Sequence, residues 1–468
     1  MAFNAALAAC KVGEHWALAL QLLETLQRAR LEPSVVTYGS AISACEKSHQ
    51  WEPAMVLFYE LQDLRLEANV ITYSSAISAC EKGLQWERAL VLHREMQVLR
   101  LTQDVITYNA AISACEKAWQ WHQALRILTA MRVQDLEPNV ISYNAAISAC
   151  EKVGQWQLVF EMLTVMRTQK IAPNVVSISA AISSCENADQ WVQALRLFFD
   201  VQDQHLELNV FSYSAVISAC ARSEQWEHAL RTFALMQEQA LEPNVICFNA
   251  ALSACEKGEQ WERALEIFAG MHAHNLEPGV FSYNCAISAC EKGQEWERAL
   301  RTLLNLQEHG LRSGEIGHNA AISACEKCKK WDQALCILVQ MSGHDLQPNT
   351  ITYSASMSAC EKGLQWDLAL RFLAEMSEMG LTPKVMSFDA AISACEIYEQ
   401  WKRALSILVE MPDHSLEPTV ISCSIAISAC EKGEQWARAL GMLPEMLGSG
   451  VKPNMMSHSA AISGCEKS

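Results

Sequence analysis

Apolar residues recur along the chain at helical spacing. In the stretch Val245–Gly279, numbered 1 to 35, positions 1, 4, 8 and 11 are Val245, Phe248, Leu252 and Cys255. That is the i, i+3, i+7, i+10 stripe of one helix. Gly258 at position 14 reads as the glycine that closes it. Positions 17, 20, 21, 24 and 27 are Trp261, Ala264, Leu265, Phe268 and Met271, a second amphipathic helix. Leu276 and Pro278 end the unit, because proline cannot continue a helix. Each unit is therefore a hairpin, helix A then helix B. Neither helix can bury its stripe alone, so neighbours must stack.

The same pattern returns with a 35-residue step and no insertion, starting at Val35, Val70, Val105, Val140, Val175, Val210, Val245, Val280, Glu315, Thr350, Val385 and Val420. Residues 1–34 read as a partial N-terminal repeat. Residues 35–454 read as twelve tandem repeats, and 455–468 as a truncated C-terminal repeat with helix A only. Both ends interrupt a repeat, which fits a piece of a longer protein. The expected fold is all-α, a right-handed α-solenoid superhelix of stacked helix–turn–helix units.

Composition supports a packed protein: half of the 468 residues are apolar and 19% are charged, against the balance of a disordered chain. No apolar run of 18 residues exists, so no membrane-spanning helix is expected. No targeting peptide precedes the first repeat. Fourteen of the 19 cysteines sit at position 11, from Cys10 to Cys465. Equivalent residues of stacked helices lie about 10 Å apart, too far for a disulfide. They are expected to be reduced, buried packing residues, in a reducing compartment. Thirteen of the 14 tryptophans occupy position 17 and are read as opening helix B and packing in the inter-helix seam. No phosphate-binding loop or H-E-x-x-H occurs. Cys325 and Cys328 form one C-x-x-C, but Cys328 replaces the position-14 glycine and no second pair follows. No nucleophile–base pair is apparent. No catalytic residue, metal or cofactor, no small-molecule substrate and no enzyme activity are expected.

The unit V-I-S-Y-N-A-A-I-S-A-C-E-K-G…A-L…M…L-E-P-N resembles the pentatricopeptide repeat, most clearly at Val140–Asn174 and Val105–Asn139. The 34-residue tetratricopeptide pattern is absent. The near-constant Cys at position 11 and Trp at position 17 depart from the family at packing positions. The resemblance implies sequence-specific binding of single-stranded RNA, one base per repeat, in organellar RNA processing, stability or editing, in a plastid or mitochondrion. It implies that positions 5 and 35 read the base, position 2 wedges between bases, and a basic residue at position 13 meets phosphate, with the RNA 5′ end at the protein N-terminus.

At 100° per residue, positions 2, 5, 9 and 13 fall within about 80° on helix A, so they form one track. The position-5 readers are Asn4, Ser74, Asn109, Asn144, Ser179, Ser214, Asn249, Asn284, Asn319, Ser354, Asp389 and Ser424. Asn and Ser are poor mid-helix residues, and they vary while neighbouring Ala and Ile do not. The position-35 readers are Ser34, Asn69, Asp104, Asn139, Asn174, Asn209, Asn244, Asn349, Lys384, Thr419 and Asn454. Apart from Lys384 these are also favoured N-caps, and capping is compatible with reading. The phosphate contacts are Lys47, Lys82, Lys117, Lys152, Arg222, Lys257, Lys292, Lys327, Lys362 and Lys432. Their other reading is a solvated helix end complementing the dipole. Position 2 is bulky and apolar, as Ile71, Ile106 and Phe281 show, which a base wedge and burial between repeats explain equally.

On the family's code, Ser179/Asn209 and Ser214/Asn244 favour adenine, Ser74/Asp104 guanine, and Asn109/Asn139, Asn144/Asn174 and Asn319/Asn349 a pyrimidine. A net charge of −17 argues for a different class of function, a protein-interaction scaffold using the same groove, since an acidic protein repels a polyanion. RNA-processing enzymes are the protein partners expected alongside RNA.

Overall fold

The computed structural model describes residues 2–29, 31, 33–203, 208–312, 314–343, 346–414, 416–448 and 450–466, without the side chains of residues 2–4, 203 and 342. Every regular element among them is helical, and the fold is an all-α helical repeat solenoid. It divides into two compact units, residues 1–223 with 231–242, and residues 224–230 with 243–468. No described helix is long and apolar enough to cross a membrane.

In the first unit the A helices, such as Val70–Lys82, Val105–Lys117 and Val140–Glu151, pack side by side. Each B helix, such as Trp86–Val98, lies against its own helix A and helix A of the next repeat. The second unit repeats the scheme, for example with Val385–Ile397, Trp401–Glu410 and Val420–Lys432. An internal helix A is thus enclosed by four neighbours, the A helices on either side, its own helix B and helix B of the preceding repeat, and its buried surface is wider than the apolar stripe suggests. Ala111 and Ala114 at positions 7 and 10 are fully buried beside Tyr108, Ile112 and Cys115. In Val175–Asn187 every residue from Ser177 to Cys185 is buried. Small residues at 7 and 10 let the A helices approach closely.

Aromatic rings lock one repeat to the next. Phe58 meets Tyr73 edge-on with centroids 4.9 Å apart, and Phe198–Tyr213 and Phe268–Tyr283 repeat that distance. They join position 24 of one repeat to position 4 of the next. His93 takes the same place against Tyr108 at 4.7 Å.

The position-14 glycine corrects the sequence reading. It adopts ordinary backbone angles, φ −85° at Gly83 and −81° at Gly258. The left-handed residue is the next one, Leu84 at φ 59° and Glu259 at φ 57°. A left-handed cap therefore does not require the glycine, and Ala118 and Cys328 occupy the same place. Close approach does matter: a Cβ on Gly83 would lie 2.2 Å from Cγ of Trp51, and one on Gly258 2.4 Å from Cγ of Trp226. The position-17 indole of one repeat lies on the helix-A end of the next. Arg88 then covers Trp51 at 5.1 Å and Arg298 covers Trp261 at 4.8 Å.

The position-11 cysteines from Cys10 to Cys430 are buried thiols, whereas Cys465 is exposed. Cys465 departs from the expectation of burial, because among the described residues no helix B of its own repeat packs over it. Burial pushes the Cys80 thiol up to about 11 and the Cys115 thiol up to about 12.

Candidate nucleic-acid interface

The track begins with position 2, where large apolar side chains stand in solvent. Ile71, Ile106, Ile141, Phe211, Phe281, Ile351 and Met386 are all more than half exposed, Ile106 at 68%. Burial between repeats therefore does not account for these residues. Singly exposed apolar residues are ordinary, but one at the same site of each repeat is a regular row.

Position 5 lies one turn further along the same face, and in most repeats a hydroxyl at position 3 of the following repeat reaches it across the seam. In the first unit Ser74 Oγ lies 2.6 Å from Thr107 Oγ1 and Ser179 Oγ 2.6 Å from Ser212 Oγ. The Ser142 and Ser177 hydroxyls donate to Oδ1 of Asn109 and Asn144. In the second unit Ser282 donates to Asn249 Oδ1 and Thr352 to Asn319 Oδ1, both at 2.6 Å. Ser354 pairs with Ser387, Asp389 with Ser422 and Ser424 with Ser457. Asp389 is half-buried, and burial holds its carboxyl above the usual range despite the Ser422 hydroxyl. Ser179, Ser214 and Ser424 are buried, and Ser214 Oγ donates to its own helix at Phe211 O, 2.8 Å. The side chain of Asn4 lies outside the described residues.

Position 35 closes the cluster. Asn69, Asp104, Asn139, Asn174, Asn209, Asn244, Asn349 and Thr419 cap helix A by accepting from the position-3 N–H, as do Ser34 and Asn454. Lys384 is exposed and makes no cap. Position 5 joins position 35 directly: Asn109 Nδ2 donates to Asn139 Oδ1 at 3.4 Å and Asn144 Nδ2 to Asn174 Oδ1 at 3.2 Å. Capping thus consumes the asparagine oxygen and leaves the amide nitrogen as the end available to a ligand. Asn349 differs, since its Nδ2 is held by Glu315 at 2.7 Å.

The basic residues at position 13 are engaged. Lys82 pairs with Glu46 at 3.2 Å, Lys117 with Glu81 at 3.0 Å, Lys152 with Glu116 at 3.4 Å and Arg222 with Glu186 at 3.5 Å. In the second unit Lys327–Glu291, Lys362–Glu326 and Lys432–Glu396 form the same pairs at 3.1, 2.9 and 3.0 Å. Lys292 Nζ donates to the Glu256 carbonyl at 3.0 Å. Lys47 is half-buried and Lys257 exposed. Each glutamate belongs to position 12 of the preceding repeat, and a position-9 serine also holds several of them, as Ser113 does Glu81 at 2.8 Å and Ser148 Glu116 at 2.9 Å. Position 13 is Asn187 after Glu151 and Ile397 after Glu361. Burial holds the carboxyls of Glu151 and Glu361 above their ordinary range, and neighbouring glutamates add to the rise.

The same seam cluster recurs along the stacked hairpins. The family described as pentatricopeptide repeat domain matches residues 21–83, 56–118, 90–152, 126–187, 196–258 and 301–363. The PPR repeat family matches 243–292, and the PPR repeat 281–311. The chain belongs to the pentatricopeptide repeat family. Its fold is similar to the crystal structure of the pentatricopeptide repeat protein PPR10 from maize, at 18% identity and TM-score 0.51, over 99% of this chain and 76% of that one. PPR10 in complex with an 18-nt psaJ RNA element aligns at 19% identity and TM-score 0.45, over 100% and 72%. Yeast Rmd9p in complex with 16-nt target RNA aligns at 14% and TM-score 0.33, over 94% and 98%. No curated protein matches the sequence.

Two features of these pentatricopeptide repeats escaped the sequence reading. The position-3 hydroxyl row was visible as Thr72, Thr107, Ser142, Ser177 and Ser212 at constant spacing. The glutamate–lysine ladder was visible as Glu at position 12 and Lys at position 13 in one register.

Proposed function

We propose that this pentatricopeptide repeat protein binds single-stranded RNA sequence-specifically, one base per repeat, without catalysis of its own. Organellar RNA processing, stability or editing is the setting the family suggests, in a plastid or mitochondrion, with RNA-processing enzymes as further partners. The observation that carries the reading is the cluster that recurs at the seams. An exposed apolar residue at position 2 stands beside a hydrogen-bonded pair at positions 5 and 35, as Ile106 does beside Asn109 and Asn139.

The chemistry of each pair suits a different base edge. Asp104 only accepts, and Thr107 occupies its Oδ1 at 2.9 Å from the backbone N–H. A carboxylate beside Ser74 complements guanine, whose Watson–Crick edge offers two adjacent N–H groups. In Ser179/Asn209 the cap leaves an amide donor, which complements the N1 acceptor of adenine. The exposed position-2 side chains give bases an apolar surface to stack against.

Selection from a random RNA pool tests this. We expect one motif to be enriched, and Asn144→Ser with Ser179→Asn to change two adjacent positions of it and no others. A motif indifferent to both exchanges overturns the reading. The ladder of Lys–Glu pairs favours a second reading, a protein-interaction scaffold, because it removes net positive charge from the track. No enriched RNA even at low salt, together with saturable binding of basic peptides to the same face, is the outcome that supports the scaffold instead.

A further inference from the structure

Two adjacent repeats of the second unit carry the same reading pair, Asn249/Gly279 and Asn284/Gly314. Neither glycine supplies a cap side chain. The repeats differ across the seam. Ser282 faces Asn249 and donates to its Oδ1 at 2.6 Å. Gly317 faces Asn284, whose Oδ1 is buried with no hydrogen-bond partner. A Cβ built on Gly317 would lie 2.6 Å from that same oxygen.

An Asn side chain has an accepting and a donating end of nearly equal shape. Where the position-3 hydroxyl accepts the cap backbone N–H, as Ser142 does from Asn139 and Ser177 from Asn174, its own proton is directed across the seam, so the amide oxygen turns to it and the Nδ2 is presented to the track. Nine seams show a hydroxyl in contact with position 5, and the Asn284 seam has no such group. There, no hydroxyl holds the amide oxygen, which is left without a hydrogen-bond partner.

We propose that the position-3 hydroxyl is a positioning residue for base specificity, and that Gly317 makes the Val280–Gly314 repeat tolerant of any base. This rests on the RNA reading above. The hydroxyl does not touch the base. It sets which end of the reader amide the base meets.

The test uses the full chain and the selected RNA, with all four bases placed in turn at the nucleotides assigned to the repeats starting at Val245 and Val280. The expected result is a preference of about fivefold for one base at the first repeat, the worth of one hydrogen bond, and a spread below about twofold at the second. Gly317→Ser gives the second repeat a preference like the first. Its added atom meets the movable end of the Asn284 side chain, not backbone. Ser282→Gly flattens the first repeat, and Ser282→Thr leaves its preference intact. Affinity for the best base changes little, which separates positioning from general destabilisation. Thermal unfolding of each variant accompanies the binding. If RNA binds with unchanged base preferences in Gly317→Ser and Ser282→Gly, the proposal falls while the RNA reading stands. Failure to bind any RNA removes both.

Discussion

Neutralising the glutamates that hold the lysine row should convert a charge-compensated track into a phosphate-binding one. The perturbation is Glu46→Gln, Glu81→Gln and Glu116→Gln together, which releases Lys82, Lys117 and Lys152 from pairs at 3.2, 3.0 and 3.4 Å. Glutamine keeps an acceptor for Ser113 and Ser148, so the seam hydrogen bonds survive. The side chains of these pairs are 19–37% exposed; pairs at the surface contribute about 0–1 kcal/mol each, and with the serine contacts kept the fold should tolerate the change. A phosphate on the far side of a lysine lies about 6 Å from the carboxylate. The repulsion there is about 0.7 kcal/mol at water's dielectric and about 3 kcal/mol at an effective value near 20. The lower figure is about threefold in affinity per glutamate, so on the order of 30-fold for three. Each freed lysine adds about 0.7 to the slope of log affinity against log salt for a single strand, about 2 in all. Fluorescence anisotropy of a labelled RNA across a salt titration reads both numbers. Lys82→Gln, Lys117→Gln and Lys152→Gln in the same background should abolish the gain. An affinity and a slope that match the unsubstituted protein would refute a phosphate role for this row.

Other outcomes follow from buried groups. Burial, with Arg94 nearby, lowers the His93 pKa to about 4, so the unfolded chain takes up a proton between about 6.5 and 4 that the folded chain refuses. Stability should fall across that window by about 3 kcal/mol, and His93→Phe, the residue found at Phe58 and Phe198, should remove the acid loss in urea unfolding measured against pH. Glu151→Gln and Glu361→Gln should stabilise the protein at neutral pH. A carboxyl with a raised pKa costs stability as pH climbs from the ordinary carboxylate range through its folded value, so the gain should vanish in acid, and a gain that persists there would contradict the assignment. In mass-spectrometric alkylation of the folded protein, exposed Cys336 should react while Cys80 and Cys115, buried and pushed up in pKa, stay unmodified until unfolding.

The fold was legible because each repeat states the same pattern again: a hairpin whose helices cannot be buried alone permits only stacking. The candidate reading residues at position 5 stood out because Asn and Ser are poor mid-helix residues that vary while their neighbours do not, as at Asn109, Asn144 and Ser179; those at position 35 also fitted plain N-caps. What stayed hidden lies across seams. Adjacent helix residues do not face each other, so Glu81 and Lys82 looked like a solvated helix end. Their partners are one repeat away, Lys117 for Glu81 and Glu46 for Lys82. Thr107 and Ser142 sit at the first turn of helix A, where a hydroxyl is ordinary near a cap, and nothing along one helix marks their contact with Ser74 and Asn109 across the seam. Gly83 was assigned to a cap on general expectation, whereas the indole of Trp51 occupies the space of its missing side chain.

One repeat for one nucleotide is the claim on which the rest stands, and chain length tests it most directly. Removing residues 140–174 deletes a whole repeat and leaves Asn109 facing Ser177 in place of Ser142, so the seam chemistry is kept. The RNA motif selected by the shortened protein should lose a single internal nucleotide, the one assigned to Asn144/Asn174, with its flanks unchanged. A motif of the original length, or one rearranged throughout, would contradict the account.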